Sequence, residues 1–165
     1  MKRVRTRIGD VFCARLDEHT KKYFQYVAND LTQLNSDVIR AFRKAYPLHE
    51  TPDLSEIVAD EVDLYAHVVV PLGIKMNLWE KVGHAPNVGD LDVVFKDTED
   101  YGTKLGEEPV KVSTNWHIWR LNEDFQFVGK LEGEYTKAFI GLVFNPYGLL
   151  ELLRGKKYPP FYPDW

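Results

Sequence analysis

Histidine, cysteine and carboxylate side chains are the groups in this chain with chemistry to offer. The histidines are His19, His49, His67, His84 and His117, and none lies within five residues of another. No HxH, HExxH or CxxC pattern occurs, so the local signatures of zinc are missing. A catalytic or metal cluster would have to be assembled from distant positions, and Asp63, His67 and His117 are the set from which one could be built. Ordinary buried or surface histidines are the plainer reading. No GxSxG elbow and no P-loop is present, and Gly102 and Gly106 lead to Pro109 rather than to a helix. Cys13 is the single cysteine, so an intramolecular disulfide is excluded. Its run, Val11-Phe12-Cys13-Ala14, reads as a buried thiol rather than a nucleophile. These residues call for no metal and no cofactor.

The carboxylates suggest binding instead. Glu50, Asp53, Glu56, Asp60, Glu61 and Asp63 fall within fourteen residues that hold no Lys or Arg. Such a stretch is either a solvated face or a negative patch that orients a basic protein. Trp79 stands among Gly73, Gly83, Pro86 and Gly89, a context that allows either core burial or an exposed contact. The expected binding set is therefore Glu56, Asp60, Glu61, Asp63 and Trp79.

Elements must position these groups. The chain of 165 residues is 44% hydrophobic and 13% aromatic. That is the size of about one domain of roughly 100–200 residues, and residues 1–165 are read as a single domain. The clearest pattern is an aromatic hairpin, Asn115 to Leu131. Trp116 and Ile118 share one face, His117 and Trp119 the other, and Asn122-Glu123-Asp124 turns the chain. Phe125 and Phe127 return on a common face, as core or as a contact surface. Further strands are expected at Asp10 to Leu16, Lys22 to Ala28, Asp37 to Tyr46, Asp63 to Pro71, Leu78 to Val82, Leu91 to Lys96 and Ala138 to Phe144. Asp97 to Pro109 reads as a loop. Thr51-Pro52-Asp53 starts a short helix, Pro52 to Val58. Asn145-Pro146 starts another with a Leu-rich face, closed by Gly155. This order lacks βαβ alternation and predicts an α+β fold, mostly β: a strongly bent antiparallel sheet or a small open barrel with two short helices.

Net charge is −4 and the isoelectric point about 5.7. Nucleic-acid binders carry a basic footprint, so nucleic acid is not the expected partner. The basic run Lys2, Arg3, Arg5 and Arg7 reads as solvated terminal charge. No apolar stretch follows it as in a signal peptide, and no window nears the ~20 apolar residues of a membrane span. A cytoplasmic protein that meets no membrane is expected.

The opening Arg7-Ile8-Gly9-Asp10-Val11-Phe12, its apolar strand and polar turn, and Tyr23-Phe24-Gln25-Tyr26-Val27 resemble the immunity protein 26 family. The Trp116–Trp119 hairpin and Val128-Gly129-Lys130 extend the likeness over most of the chain. Lys21-Lys22-Tyr23-Phe24-Gln25 departs from the usual glycine-rich second strand. The resemblance implies a bacterial immunity protein that binds and blocks a cognate toxin in the cytoplasm without catalysis. The same grouping takes in small phosphotriesterases of the HocA type, so hydrolysis of organophosphate triesters is the competing implication. No catalytic residue of that grouping can be placed here.

Overall fold

A computed structural model describes residues 4–102 and 104–165. Lys2 and Arg3 of the basic run, and Thr103 in the long loop, lie outside them. The fold is α+β and mostly strands, arranged as two mixed sheets with no closed barrel.

The larger sheet is built from β1 (Asp10–Arg15), β2 (Thr20–Asp30), β3 (Ser36–Phe42), β4 (Tyr46–Pro47), β5 (Val62–Val68), β6 (Trp79–His84) and β11 (Val143–Phe144). Its order is β11-β5-β3-β2-β1-β6, with β4 paired on β2. The smaller sheet, β10-β7-β8-β9, comprises β7 (Val94–Thr98), β8 (Trp116–Arg120), β9 (Gln126–Gly129) and β10 (Phe139–Ile140). The expected α+β, mostly β fold thus takes the form of two mixed sheets rather than one bent sheet or a small open barrel. The segment read as one strand, Ala138 to Phe144, is the reason. It breaks at Gly141, where a side chain would collide with the Trp119 ring. Its halves run parallel to β7 and to β5, stitching the sheets together.

The helices are α1 (Leu54–Ala59), α2 (Val70–Lys75) and α3 (Pro146–Leu153), one more than expected. The strand expected from Asp63 to Pro71 ends at Val68, and the chain turns into α2 instead. Pro71 sits in its first turn, where its missing N–H costs nothing and its fixed φ suits a helix. Asn145 caps α3 by accepting from the Gly148 N–H at 2.8 Å, as expected.

One face of the larger sheet, with Phe12, Phe24, Ile39 and Val68, packs on Leu149, Leu150 and Leu153 of α3. Val27, Val38, Phe95 and Trp119 form the seam between the sheets. Burial of this kind stabilises by about 25 cal/mol per Å² of apolar surface. The Gly9-Asp10 pair has a structural role at the start of β1. Gly9 adopts φ +100°, conformationally open to glycine, and its space is closed by His84 and Ala85. Asp10, fully buried, meets Lys81 at 2.8 Å and His84 at 3.0 Å. Burial pushes its carboxyl up, but these partners and the Arg7 N–H more than offset that and hold it below the usual range.

No described helix is long and apolar enough to cross a membrane.

Candidate binding cleft at the hairpin

The acidic stretch does not stand free. Glu56 accepts from Lys44 Nζ at 3.0 Å and from the Tyr46 hydroxyl at 3.2 Å. Glu61 meets Arg43 at 2.8 Å, and Asp63 meets Lys22 at 3.3 Å. Asp60 accepts the Lys44 backbone N–H at 2.7 Å. The cations come from β2 and the β3–β4 turn, distant in sequence and adjacent in space. An expected negative patch is therefore a mixed, largely self-compensated surface.

Trp79 is likewise not an exposed contact. It is 4% exposed, donates its indole N–H to the Val70 carbonyl at 3.0 Å, and meets the Phe24 ring edge-on at 5.2 Å. The glycine context has a packing cause: a side chain at Gly73 would occupy the space of the Trp79 ring.

Asp63, His67 and His117 do not come together. Asp63 belongs to the ion pairs just described. His67 on β5 is fully buried and bonded through Nε2 to Asp30 at 2.8 Å. His117 on β8 is half-buried in a separate cleft. Among the described residues no group of three or more His, Cys, Asp or Glu is gathered closely enough to hold a metal ion.

That cleft is where the hairpin does stand open. Residues His117 and Trp119 share a face of β8, as their alternation predicts. Trp119 is covered by the end of β2: its indole N–H donates to Asp30 at 2.9 Å. The loop that follows β2 then docks on the hairpin turn. Asn122 accepts the Leu31 N–H at 2.8 Å, and Gln33 donates to the Glu123 carbonyl at 3.1 Å. His117 lies beyond this cover, met at 5.2 Å by the rings of both Phe125 and Phe127. Those rings are 55% and 62% exposed, whereas Trp116 and Ile118 across the sheet are buried. The hairpin aromatics thus divide, tryptophans to the core and phenylalanines to the surface.

Gln33, Leu34, Asp97, Thr98, Glu99, His117, Trp119 and Phe125 enclose a cleft of about 280 Å³. Asp97 pairs across the ladder with His117. Burial pushes its carboxyl up, opposed by the Thr98 N–H, the Tyr162 hydroxyl and the charge of His117. Glu99, beside it, is exposed. None of the ion pairs among the described residues involves Asp97, Glu99, Asp100, Glu123 or Asp124. The acids without an ion pair therefore lie on two sides of the cleft, Asp97 to Asp100 running towards Asn115 and Glu123-Asp124 at the hairpin turn. Their separation in the chain hides this arrangement, since only strand pairing sets Asp97 opposite His117.

The cleft lacks an armed nucleophile. The Thr98 hydroxyl is bonded to Ser113 at 2.7 Å and accepts the Asp100 N–H at 3.2 Å. Cys13 lines a different groove, and burial pushes its thiol up, away from the reactive thiolate. What remains is an acidic recess with aromatic walls, suited to receiving a cation. Comparison of the chain with protein-family models, with curated proteins and with solved structures gives no match.

Proposed function

We propose that this protein is an immunity-type binding protein, neutralising a cognate toxin by covering it with the open end of the hairpin and needing no catalysis of its own. The observation that carries this reading is the exposure of Phe125 and Phe127 beside an acidic cleft with no Lys or Arg in its lining. Exposed aromatic rings anchored on a strand lose little conformational entropy on docking and dominate interface energetics. The flanking Asp97, Glu99, Asp100, Glu123 and Asp124 complement a basic toxin surface and speed encounter. Resemblance to the immunity protein 26 family points to the same class. The reading transfers the contact surface from Glu56, Asp60, Glu61, Asp63 and Trp79 to the hairpin. Its test is capture of any toxin-like protein found encoded beside it, with Phe125→Ala and Phe127→Ala expected to abolish capture. Capture unaffected by both substitutions would remove the hairpin from the account.

Hydrolysis of phosphate triesters is the second reading. One feature favours it: His117 and the Asp97 carboxyl, whose proton burial helps to retain, line the same cleft. Such a pair can exchange a proton with a bound ester or water. Triester turnover with added divalent metals, lost in His117→Ala, would support it; turnover absent under all such conditions would remove it.

A further inference from the structure

Arg5 and Arg7, the described part of the basic run, are carried on a backbone tied to the larger sheet. Gly9 donates its N–H to the Tyr26 carbonyl at 2.8 Å, and its own carbonyl accepts the Ala85 N–H at 2.9 Å. The turn before it is closed from both ends. The Asp10 N–H donates to the Arg7 carbonyl at 3.1 Å, and Asp10 Oδ2 accepts the Arg7 N–H at 3.0 Å. Arg7 therefore starts from a position fixed against β2 and the end of β6.

Val4, Arg5, Thr6, Arg7, Asp10 and Lys81 enclose an open recess of about 580 Å³. Three of these side chains are cations and one is a carboxylate. The carboxylate is spent inside the protein. Asp10 is fully buried, with Oδ1 held by Lys81 at 2.8 Å and by His84 at 3.0 Å, and Oδ2 held by the Arg7 N–H. It anchors Lys81 and leaves the recess with a surplus of positive charge. Arg5 enters no ion pair among the described residues. The Arg7 guanidinium comes no nearer to Asp10 than 3.8 Å, and its side chain is 71% exposed. Glu80, the neighbour of Lys81 in β6, points to the other face of the strand and lines a different groove. The lining holds one apolar side chain, Val4, and no aromatic ring. A ligand here is therefore recognised by charge and hydrogen bonds, not by stacking of a base or burial of an apolar body.

We propose that this recess binds a compact polyphosphate anion. Guanidinium forks match phosphate oxygens two at a time, and an ammonium adds a point charge. The Thr6 hydroxyl supplies a further donor. Linked phosphoryl groups reach all three cations, whereas a single one engages only part of them. The site does not rest on the toxin reading: it belongs to β1 and β6 of the larger sheet, and it shares no lining residue with the hairpin cleft.

The test is calorimetric titration of the full chain with inorganic tripolyphosphate at low ionic strength. Sulfate at matched ionic strength and a single-stranded oligonucleotide are run beside it. Tripolyphosphate is expected to bind, with affinity falling as salt is added. Arg5→Gln and Arg7→Gln leave the Asp10 bonds to Lys81, His84 and the backbone N–H of residue 7 in place. Each should weaken binding by roughly tenfold or more. Lys75→Gln, which removes an exposed cation on α2, should bind as wild type does. No binding of tripolyphosphate, a response no larger than that to sulfate, unchanged affinity in Arg5→Gln, or binding of the oligonucleotide alone overturns the inference.

Discussion

The His67 imidazole donates through Nε2 to the Asp30 carboxylate at 2.8 Å, and both side chains are fully buried. Asp30 ends β2 and also accepts the Trp119 indole N–H from the smaller sheet. One carboxylate therefore ties β2, β5 and β8 together at the base of the hairpin cleft. Burial pushes Asp30 up, but the His67 and Trp119 bonds outweigh it and hold the carboxyl below its usual range. Removing one partner of a buried pair is expensive because the other is left unsatisfied. Asp30→Ala leaves the His67 and Trp119 N–H groups buried without their acceptor, an expected loss of about 1–3 kcal/mol for each, read from urea denaturation at neutral pH.

The same pair makes stability depend on acid. Burial depresses His67 below its ordinary value, opposed by Asp30, so the folded imidazole is neutral at pH 7; its Nδ1 has no hydrogen-bond partner among the described residues. Between the unfolded value near 6.5 and the lowered folded one, the unfolded chain binds more protons. The stability from neutral His67 is present in full above about 6.5 and is lost as pH falls toward the folded value. The carboxylate of Asp30 adds a second loss below about 3.9. NMR titration should find His67 neutral, with the proton on Nε2, at pH values below the ordinary imidazole value of about 6.5. Protonation of His67 at or above that ordinary value would contradict the assignment.

Trp79 is expected to act through the core alone. Trp79→Ala should cost about 3–5 kcal/mol of stability, seen as an earlier denaturation midpoint. At a temperature where the variant is still folded, its affinity for the partner should match wild type.

Charge removal should separate the acidic surfaces. Glu56→Gln and Glu61→Gln break exposed pairs and are expected to change stability by no more than about 1 kcal/mol, with partner association unchanged. Glu99→Gln, with no paired Lys or Arg to release, should slow association and flatten its salt dependence. Stopped-flow association at several ionic strengths measures both.

Much of the fold was legible in local patterns. Alternation along Trp116–Arg120 placed the hairpin, and Asn145-Pro146 placed α3, because period and capping are properties of a few consecutive residues. The division into two sheets was not legible. It depends on Gly141 making room for Trp119, a contact between residues far apart in the chain. The candidate site failed for the same reason. Fourteen residues without a cation looked like a negative patch, yet Lys22, Arg43 and Lys44 reach it across the sheet. The glycines around Trp79 suggested a loop, whereas Gly73 is small so that the indole can be buried. His117 was correctly placed beside Trp119. Only the docking of Leu31 and Gln33 on the hairpin turn revealed which part of that face stays open.

The most direct measurement is calorimetric binding of any toxin-like protein found encoded beside this one to wild type, Phe125→Ala, Phe127→Ala and Glu61→Gln. The account predicts tight wild-type binding and a loss of at least about 2 kcal/mol, roughly thirtyfold, for each phenylalanine variant. Glu61→Gln should bind as wild type does. Full affinity in both phenylalanine variants, or a loss confined to Glu61→Gln, would contradict it.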